Sequence, residues 1–162
     1  MTLQKKIYEG KAKTIFSGPK ENTLIQYFKD DVTAFNAKKF KVLKGKGEIN
    51  NLISEYLMQL LFNNQIPNHF IKKISNREQL IHQCNIIPLE VVVRNIAAGS
   101  ICKRLGIKEG KIFKDPIIEF YYKNDELNDP IVNNSHIISF GWSSREELQK
   151  INKISLKVNK IL

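Results

Sequence analysis

The stretch Pro88-Leu-Glu-Val-Val-Val-Arg-Asn-Ile-Ala-Ala-Gly-Ser-Ile-Cys-Lys-Arg-Leu-Gly106 sets an arginine and a hydroxyl on either side of a turn almost free of bulk. Arg94 offers a permanently charged, planar guanidinium and Ser100 a hydroxyl, while Ala97, Ala98 and Gly99 leave backbone amides open to close approach. Together they can hold one anion. A plainer description also fits, a core strand with an incidental arginine before an ordinary capped helix, and residue types alone do not separate the two. Lys11 and Lys13 follow Gly10 at alternate positions and share one face of an extended segment, so both ammonium groups can reach successive phosphates of a nucleotide. Two solvated lysines on an edge strand are the alternative there, and the spacing is not that of a Walker A loop. In Lys123-Asn-Asp-Glu-Leu-Asn-Asp129-Pro130, acids gather around a lysine at a strand end. Such carboxylates can hold Mg²⁺ with waters or bind an amine, and Lys123 can pair with a carboxylate or phosphate; an ordinary acidic turn has the same composition.

Elements must position these groups. Leu89 to Val93 is β-branched and apolar, which predicts a strand with Leu89, Val91 and Val93 on one face and Glu90, Val92 and Arg94 on the other. Ser100 is expected to N-cap a short helix, Ile101 to Leu105, closed by Gly106. Earlier, Ile7 to Phe16 reads as one strand bent at Gly10, and Ser17-Gly-Pro19 turns it into a second strand, Thr23 to Phe28. Ile49, Leu52, Ile53, Tyr56, Leu57, Leu60 and Leu61 recur with helical period and predict a helix packed on a sheet by that stripe. His69 to Ile74 reads as a strand. Ser75 to Glu78 fits a capping box or a loop, and Leu80 to Ile87 a strand and crossover. Lys111 to Phe113 and Ile117 to Tyr122 are expected as separate strands around Asp115-Pro116. Ser143-Ser144-Arg145-Glu146-Glu147 reads as a second capping box before a stripe of Leu148, Ile151, Ser155, Val158, Ile161 and Leu162. No capping residue follows that stripe, so the sequence is expected to be part of a longer chain or to be completed by a partner.

With 162 residues, 42% of them hydrophobic, the chain can bury a core in one domain or two small lobes. It has no apolar run long enough to span a bilayer and no signal-peptide core at its start, so a cytoplasmic protein without membrane contact is expected. Cys84 and Cys102 suggest no disulfide framework, and His69, His82 and His136 lack zinc-ligand spacing. The net charge of +10 points to anionic ligands, small or polymeric. The lysines are dispersed rather than interleaved with aromatics, which weakens the reading as a basic nucleic-acid-binding module. A kinase would fit the paired lysines but not the missing HRD and DFG signatures.

Tyr8-Glu-Gly-Lys-Ala-Lys13, Lys44-Gly-Lys-Gly-Glu-Ile-Asn-Asn51, Pro88 to Ser100 with Lys103-Arg-Leu-Gly106, Lys123-Asn-Asp125 with Asp129-Pro130, and Phe140-Gly-Trp142 occur in an order that resembles the SAICAR synthetases of purine biosynthesis. The resemblance runs from Ile7 to Leu162. It implies an ATP-dependent carbon–nitrogen ligase that joins L-aspartate to the carboxylate of CAIR, the carboxylated aminoimidazole ribotide, through an acyl phosphate, with ADP and phosphate released. It implies an α+β fold of two lobes, residues 1–84 a mostly antiparallel sheet with a packed helix and residues 85–162 the CAIR and aspartate lobe, with ATP between them. By this likeness Lys11 and Lys13 contact nucleotide phosphates, adenine lies along the backbone around Ile86 and Ile87, and Glu90 faces the nucleotide and metal region. Arg94 and Ser100 meet the CAIR phosphate, and Lys123 and Asp129 the reacting carboxylate and Mg²⁺. No residue is assigned a catalytic proton transfer. A homodimer is implied, with small-molecule partners and no nucleic acid. Asn36 stands where some members carry an Asp, so no charge-dependent role is expected of that loop. The family continues with an Asp-Phe-Lys-Leu-Glu-like strand and a Ser-Arg-Leu-Trp segment not found here, so the 162-residue polypeptide alone is expected to bind substrates poorly and turn over negligibly.

Overall fold

A computed structural model describes residues 5–34 and 39–162, and Asn36 lies outside them. The chain divides into two compact units, Met1–Asn85 and Ile86–Leu162.

In the first unit, β1 (Lys6–Glu9), β2 (Lys13–Ser17), β3 (Thr23–Phe28), β6 (Phe70–Lys73) and β7 (Glu78–His82) form an antiparallel sheet in the order β1-β2-β3-β7-β6. A separate two-stranded pair joins β4 (Asp31–Ala34) to β5 (Lys39–Val42). Gly10 does not bend a single strand. The Gly10 N–H donates to the Lys13 carbonyl at 2.8 Å, closing a hairpin between β1 and β2. Lys11 therefore stands in a turn, and only Lys13 lies on a strand. Ser75 to Glu78 is likewise a turn rather than a helix: the Ser75 hydroxyl donates to Glu78 Oε2 at 2.8 Å, and β7 starts at Glu78.

The helix α1 (Lys46–Asn63) forms where its period predicts, but only Leu57, Leu60 and Leu61 of the predicted stripe are half-buried, and its first half does not face inward. Ile49, Leu52, Ile53 and Tyr56 are each more than half exposed, whereas Gly47 and Asn51 are buried. At 3.6 residues per turn, Gly47, Asn51 and Ser54 lie on the side opposite that apolar stripe. The reason is close backbone approach. A Cβ on Gly47 would stand 2.3 Å from the Phe28 carbonyl oxygen, so only a narrow face fits against β3. Three hydrogen bonds tie that face to the sheet: Gln79 Nε2 donates to the Asn51 carbonyl at 3.0 Å, the Ser54 hydroxyl to Gln79 Oε1 at 3.3 Å, and Asn51 Nδ2 to the Ser75 carbonyl at 2.9 Å, while Asn51 Oδ1 is buried without a partner. The start of α1 is capped from a distance. Asp30 accepts from the N–H groups of Gly45 (3.3 Å) and Gly47 (2.8 Å) and takes both terminal nitrogens of Arg77 at 2.8 Å.

The second unit is built on β8 (Leu89–Ile96), β9 (Ile112–Tyr122) and β10 (Ile131–Val132), antiparallel in the order β10-β9-β8, with α2 (Ser100–Leu105), α3 (Asn134–Ser139) and α4 (Arg145–Ile161). The two strands expected around Asp115-Pro116 are one, β9. Its register slips between the pairs Arg94↔Ile117 and Ile96↔Ile112, and such an irregularity tolerates proline. Phe120, Ile137 and Leu148 form the core, packed by Leu89, Val91, Ile118, Val132, Trp142 and Ile151. Ser144 and Glu147 cap α4 reciprocally as expected, and α3, which the sequence did not disclose, has the same device in Asn133 and His136. Among the described residues no helix is long and apolar enough to cross a membrane.

Candidate functional site

Alternation along β8 separates two kinds of surface. Leu89 and Val91 enter the core, while Glu90, Val92 and Arg94 share the other face with their cross-strand partners Tyr121, Glu119 and Ile117. On that face Arg94 is held in three directions: Nε donates to Glu119 Oε2 at 2.7 Å, Nη1 to the Ala98 carbonyl at 3.2 Å, and Nη2 to the Ser100 hydroxyl at 3.3 Å. Glu119 is 7% exposed and also accepts from the Tyr121 hydroxyl at 2.8 Å and from Arg104 Nη2. Burial pushes the Glu119 carboxyl up, but hydrogen bonds from Arg94 and Tyr121 and the charges of Arg104 and Arg94 outweigh it and hold the pKa below the usual value. Its bond with Glu119 raises the pKa of Arg94, which stays charged.

Ser100 is not the N-cap. Gly99 takes that position at φ 65° and ψ −129°, a conformation glycine adopts readily, and Ser100 is the first helical residue. Its hydroxyl is thereby turned to Arg94 instead of to the helix amides. Gly106 closes α2 in the left-handed region, as predicted. With six residues α2 is too short for its dipole to dominate, so the positive potential here comes from guanidinium groups.

Toward the other end of the same face, Lys123 Nζ lies 2.7 Å from Asp129 Oδ2 and 3.4 Å from Glu90 Oε2. Its bond to Asp129 raises the Lys123 pKa despite partial desolvation. Asp129 has φ 47° and follows Asn128 at φ 57°, both in the left-handed region that non-glycine residues seldom occupy. That backbone directs Asp129 Oδ1 to the Asn124 N–H at 2.9 Å and Oδ2 to Lys123. Next to Lys123, Tyr122 stacks on Trp142 with ring centroids 4.2 Å apart. A cavity of about 270 Å³ is lined by Glu90, Val92, Arg94, Ser100, Tyr121 and Asp129. The second unit thus brings together Glu90, Arg94, Ser100 and Asp129, with Lys123 held between the two acids.

The remaining predicted residues stand elsewhere. Lys11 is in the β1–β2 turn. Lys13 Nζ lies 5.2 Å from the centre of the Phe28 ring, and desolvation lowers its pKa although the side chain remains exposed. Ile86 and Ile87 precede β8, with Ile86 84% exposed. Among the described residues no three His, Cys, Asp or Glu side chains cluster to hold a metal. The residues that sequence reasoning missed are Glu119, Tyr121, Arg104 and Asp30. For Glu119 a signal existed: a lone acid within Ile117-Ile-Glu-Phe-Tyr-Tyr122 requires a buried cation, and Arg94 is the charge on the neighbouring strand.

The surface therefore offers guanidinium groups beside a hydroxyl at one end and a lysine between carboxylates at the other, an arrangement suited to a substrate with separated anionic groups. A family model described as SAICAR synthetase matches residues 6–162. The chain belongs to the SAICAR synthetase family. It is 56% identical over 162 residues to phosphoribosylaminoimidazole-succinocarboxamide synthase A of Bradyrhizobium diazoefficiens, covering all of this chain and 64% of that protein. The crystal structure of the synthase from Ehrlichia chaffeensis superposes with a TM-score of 0.92 at 54% identity, over 97% of this chain and 66% of the other. A SAICAR synthetase solved in complex with ADP gives a TM-score of 0.89 at 45% identity, over 95% of this chain and 65% of that one. This chain thus spans slightly less than two thirds of the length of these SAICAR synthetases. The α+β class and the antiparallel sheets that the resemblance implied are those found.

Proposed function

We propose that the protein is an ATP-dependent ligase that condenses CAIR with L-aspartate to give SAICAR, ADP and phosphate. The observation that carries this reading is Arg94, fixed by Glu119 with its terminal nitrogens turned toward Ser100, in a family whose members are named for this reaction. A ribotide phosphate offers three oxygens to such a pair. The CAIR carboxylate is then assigned to Lys123, which neutralises it while the γ-phosphoryl group of ATP is transferred. The aspartate amine, unprotonated, attacks the acyl carbon; the new C–N bond forms as the C–O bond to phosphate breaks, and the amine loses its remaining excess proton. Lys11 and Lys13 are assigned to nucleotide phosphates, and desolvation makes Lys13 an ammonium that gains from an anionic partner. Ile86, Ile87 and Glu90 are assigned to the nucleotide as well.

Mg²⁺ commonly takes only one or two protein carboxylates and completes its shell with waters and phosphates, so the absence of a three-acid cluster among the described residues does not oppose it. Asp129, with Glu90 across Lys123, is the group that would hold it, and the ion would supply charge neutralisation on the nucleotide phosphates. We assign residues 1–84 to the nucleotide-phosphate lysines and residues 85–162 to CAIR and aspartate. The protein is read as a cytoplasmic homodimer whose +10 charge serves these polyanionic substrates and not nucleic acid.

Calorimetric titration with CAIR and with ADP tests the assignment. Charge-assisted hydrogen bonds contribute about 1.5–3 kcal/mol, so Arg94→Ala is expected to weaken CAIR binding roughly tenfold to a hundredfold and to leave ADP affinity within about twofold. Unchanged CAIR affinity in that variant refutes the phosphate assignment.

A further inference from the structure

A single buried carboxylate on the site face serves two guanidinium groups. Glu119 Oε2 accepts Arg94 Nε at 2.7 Å and the Tyr121 hydroxyl at 2.8 Å, and its Oε1 accepts Arg104 Nη2. Arg104 comes from the last turn of α2, and its Nη1 also donates to the Tyr121 oxygen at 3.3 Å. Of the three charged groups only the carboxylate is buried; Arg94 is half-buried and Arg104 exposed, so both guanidinium groups reach solvent. Here two cations meet one anion, and the cluster keeps a surplus of positive charge.

The way Glu119 grips Arg94 matters as much as the charge. It holds Nε, the root of the guanidinium, which fixes the plane of the group and leaves both terminal nitrogens pointing away. Those nitrogens rest on neutral acceptors at 3.2 and 3.3 Å, the Ala98 carbonyl and the Ser100 hydroxyl. Both contacts are longer than the roughly 2.7–2.9 Å of a strong charge-assisted bond. An anionic oxygen arriving beside Ser100 replaces weak contacts with strong ones and needs no side chain to be ordered first.

We propose that Glu119 is the positioning residue of this anion site, setting Arg94 and Arg104 as a paired clamp in which Arg104 is a second contact for the phosphate of a ribotide. The proposal rests on the assignment of Arg94 and Ser100 to the CAIR phosphate and extends it to two residues that the sequence did not single out.

A double-mutant cycle distinguishes positioning from a structural role. CAIR and ADP affinities are measured by calorimetry for the unaltered chain and for Glu119→Gln, Arg94→Ala, Glu119→Gln/Arg94→Ala and Arg104→Ala, with far-UV circular dichroism as the folding control. Glu119→Gln and Arg104→Ala are each expected to weaken CAIR roughly fivefold to twentyfold with ADP affinity unchanged, and the Glu119→Gln effect to shrink once Arg94 is absent, when only Arg104 is left for it to position. If Arg94→Ala leaves CAIR affinity unchanged, the phosphate assignment itself fails. If Arg94→Ala weakens CAIR but Glu119→Gln or Arg104→Ala does not, only the present proposal fails. An equal Glu119→Gln effect with and without Arg94 also overturns it, since that is the mark of a structural residue. Should Glu119→Gln not fold, Tyr121→Phe removes one donor from the same carboxylate. It is then expected to weaken CAIR about twofold to fivefold when Arg94 is present and by less when it is absent, and no change in the presence of Arg94 overturns the proposal.

Discussion

Replacing Gly47 by alanine sets helix propensity against packing. In a helix interior alanine is favoured over glycine by about 0.5–1 kcal/mol, and Gly47 lies within the first turn of α1, where the gain is at the low end. The added Cβ, however, would stand 2.3 Å from the Phe28 carbonyl oxygen, 2.7 Å from Arg77 Nη1 and 3.0 Å from the Phe28 carbonyl carbon. Arginine can rotate away, but the backbone of β3 cannot. Restoring ordinary contact requires the helix start to retreat by about 1 Å, which stretches the Gly47 N–H bond to Asp30, now 2.8 Å, past hydrogen-bonding distance. Overpacking of this kind costs about 1–3 kcal/mol and exceeds the propensity gain, for a net loss near 1–2 kcal/mol.

At this chain length that loss lowers Tm by about 2–8 °C. Thermal unfolding followed by circular dichroism measures it, with Gln59→Ala on the exposed side of the same helix as a control expected within about 0.5 kcal/mol of the unaltered chain. A Gly47→Ala chain that melts at or above the unaltered temperature refutes the claim that close approach, and not apolar burial, seats α1.

Two further outcomes follow from the charges. Lys13→Ala is expected to lower ADP affinity roughly tenfold while CAIR affinity stays within about twofold, measured by calorimetry; equal loss for both ligands contradicts a nucleotide-specific role. Glu119 and Glu147 have folded pKa values below their unfolded ones, the first through the outweighing cations and the second mainly through the Ser144 N–H. Such groups stabilise the fold above the unfolded carboxyl value near about 4.3, and that contribution is lost as pH falls through the folded values. Tm is therefore expected to be level from about pH 7 to 5 and to decline below about pH 4, with a shallower decline in Glu147→Gln; an identical acid profile in that variant contradicts the assignment.

What could be read in advance depended on how local each determinant is. The β8 strand and its two faces follow from Leu89 to Arg94 alone, and the caps at Gly106 and Ser144–Glu147 from a few neighbouring residues. The β1–β2 hairpin escaped because the residues on both sides of Gly10 favour strand equally, so propensity does not mark the reversal. Asp30 escaped because the amides it caps and the arginine it binds come from distant parts of the chain. For α1 the period was right, and the inward face was wrong over its first half, from Ile49 to Tyr56. Periodicity reports that a helix has two unlike sides; the choice between them was made by Gly47 against the β3 backbone and by the buried pair Asn51 and Gln79.

The same distinction explains how a charged residue comes to be buried on the site face. The helices α3 and α4 contribute Ile137 and Leu148 to the core on the side of Leu89, Val91 and Phe120, so Glu119 points away from that core. Its cover includes its own partners, Arg94, Arg104 and Tyr121. A carboxylate sheltered by the cations it binds keeps them ordered without a ligand, and ordering a long side chain on binding costs about 0.5–1.5 kcal/mol. With both guanidiniums already placed, that cost is met during folding and not during binding. The affinity of the site for a phosphate should then depend on Glu119 even though the carboxylate repels the phosphate it helps to capture, a sign opposite to the one charge alone would give.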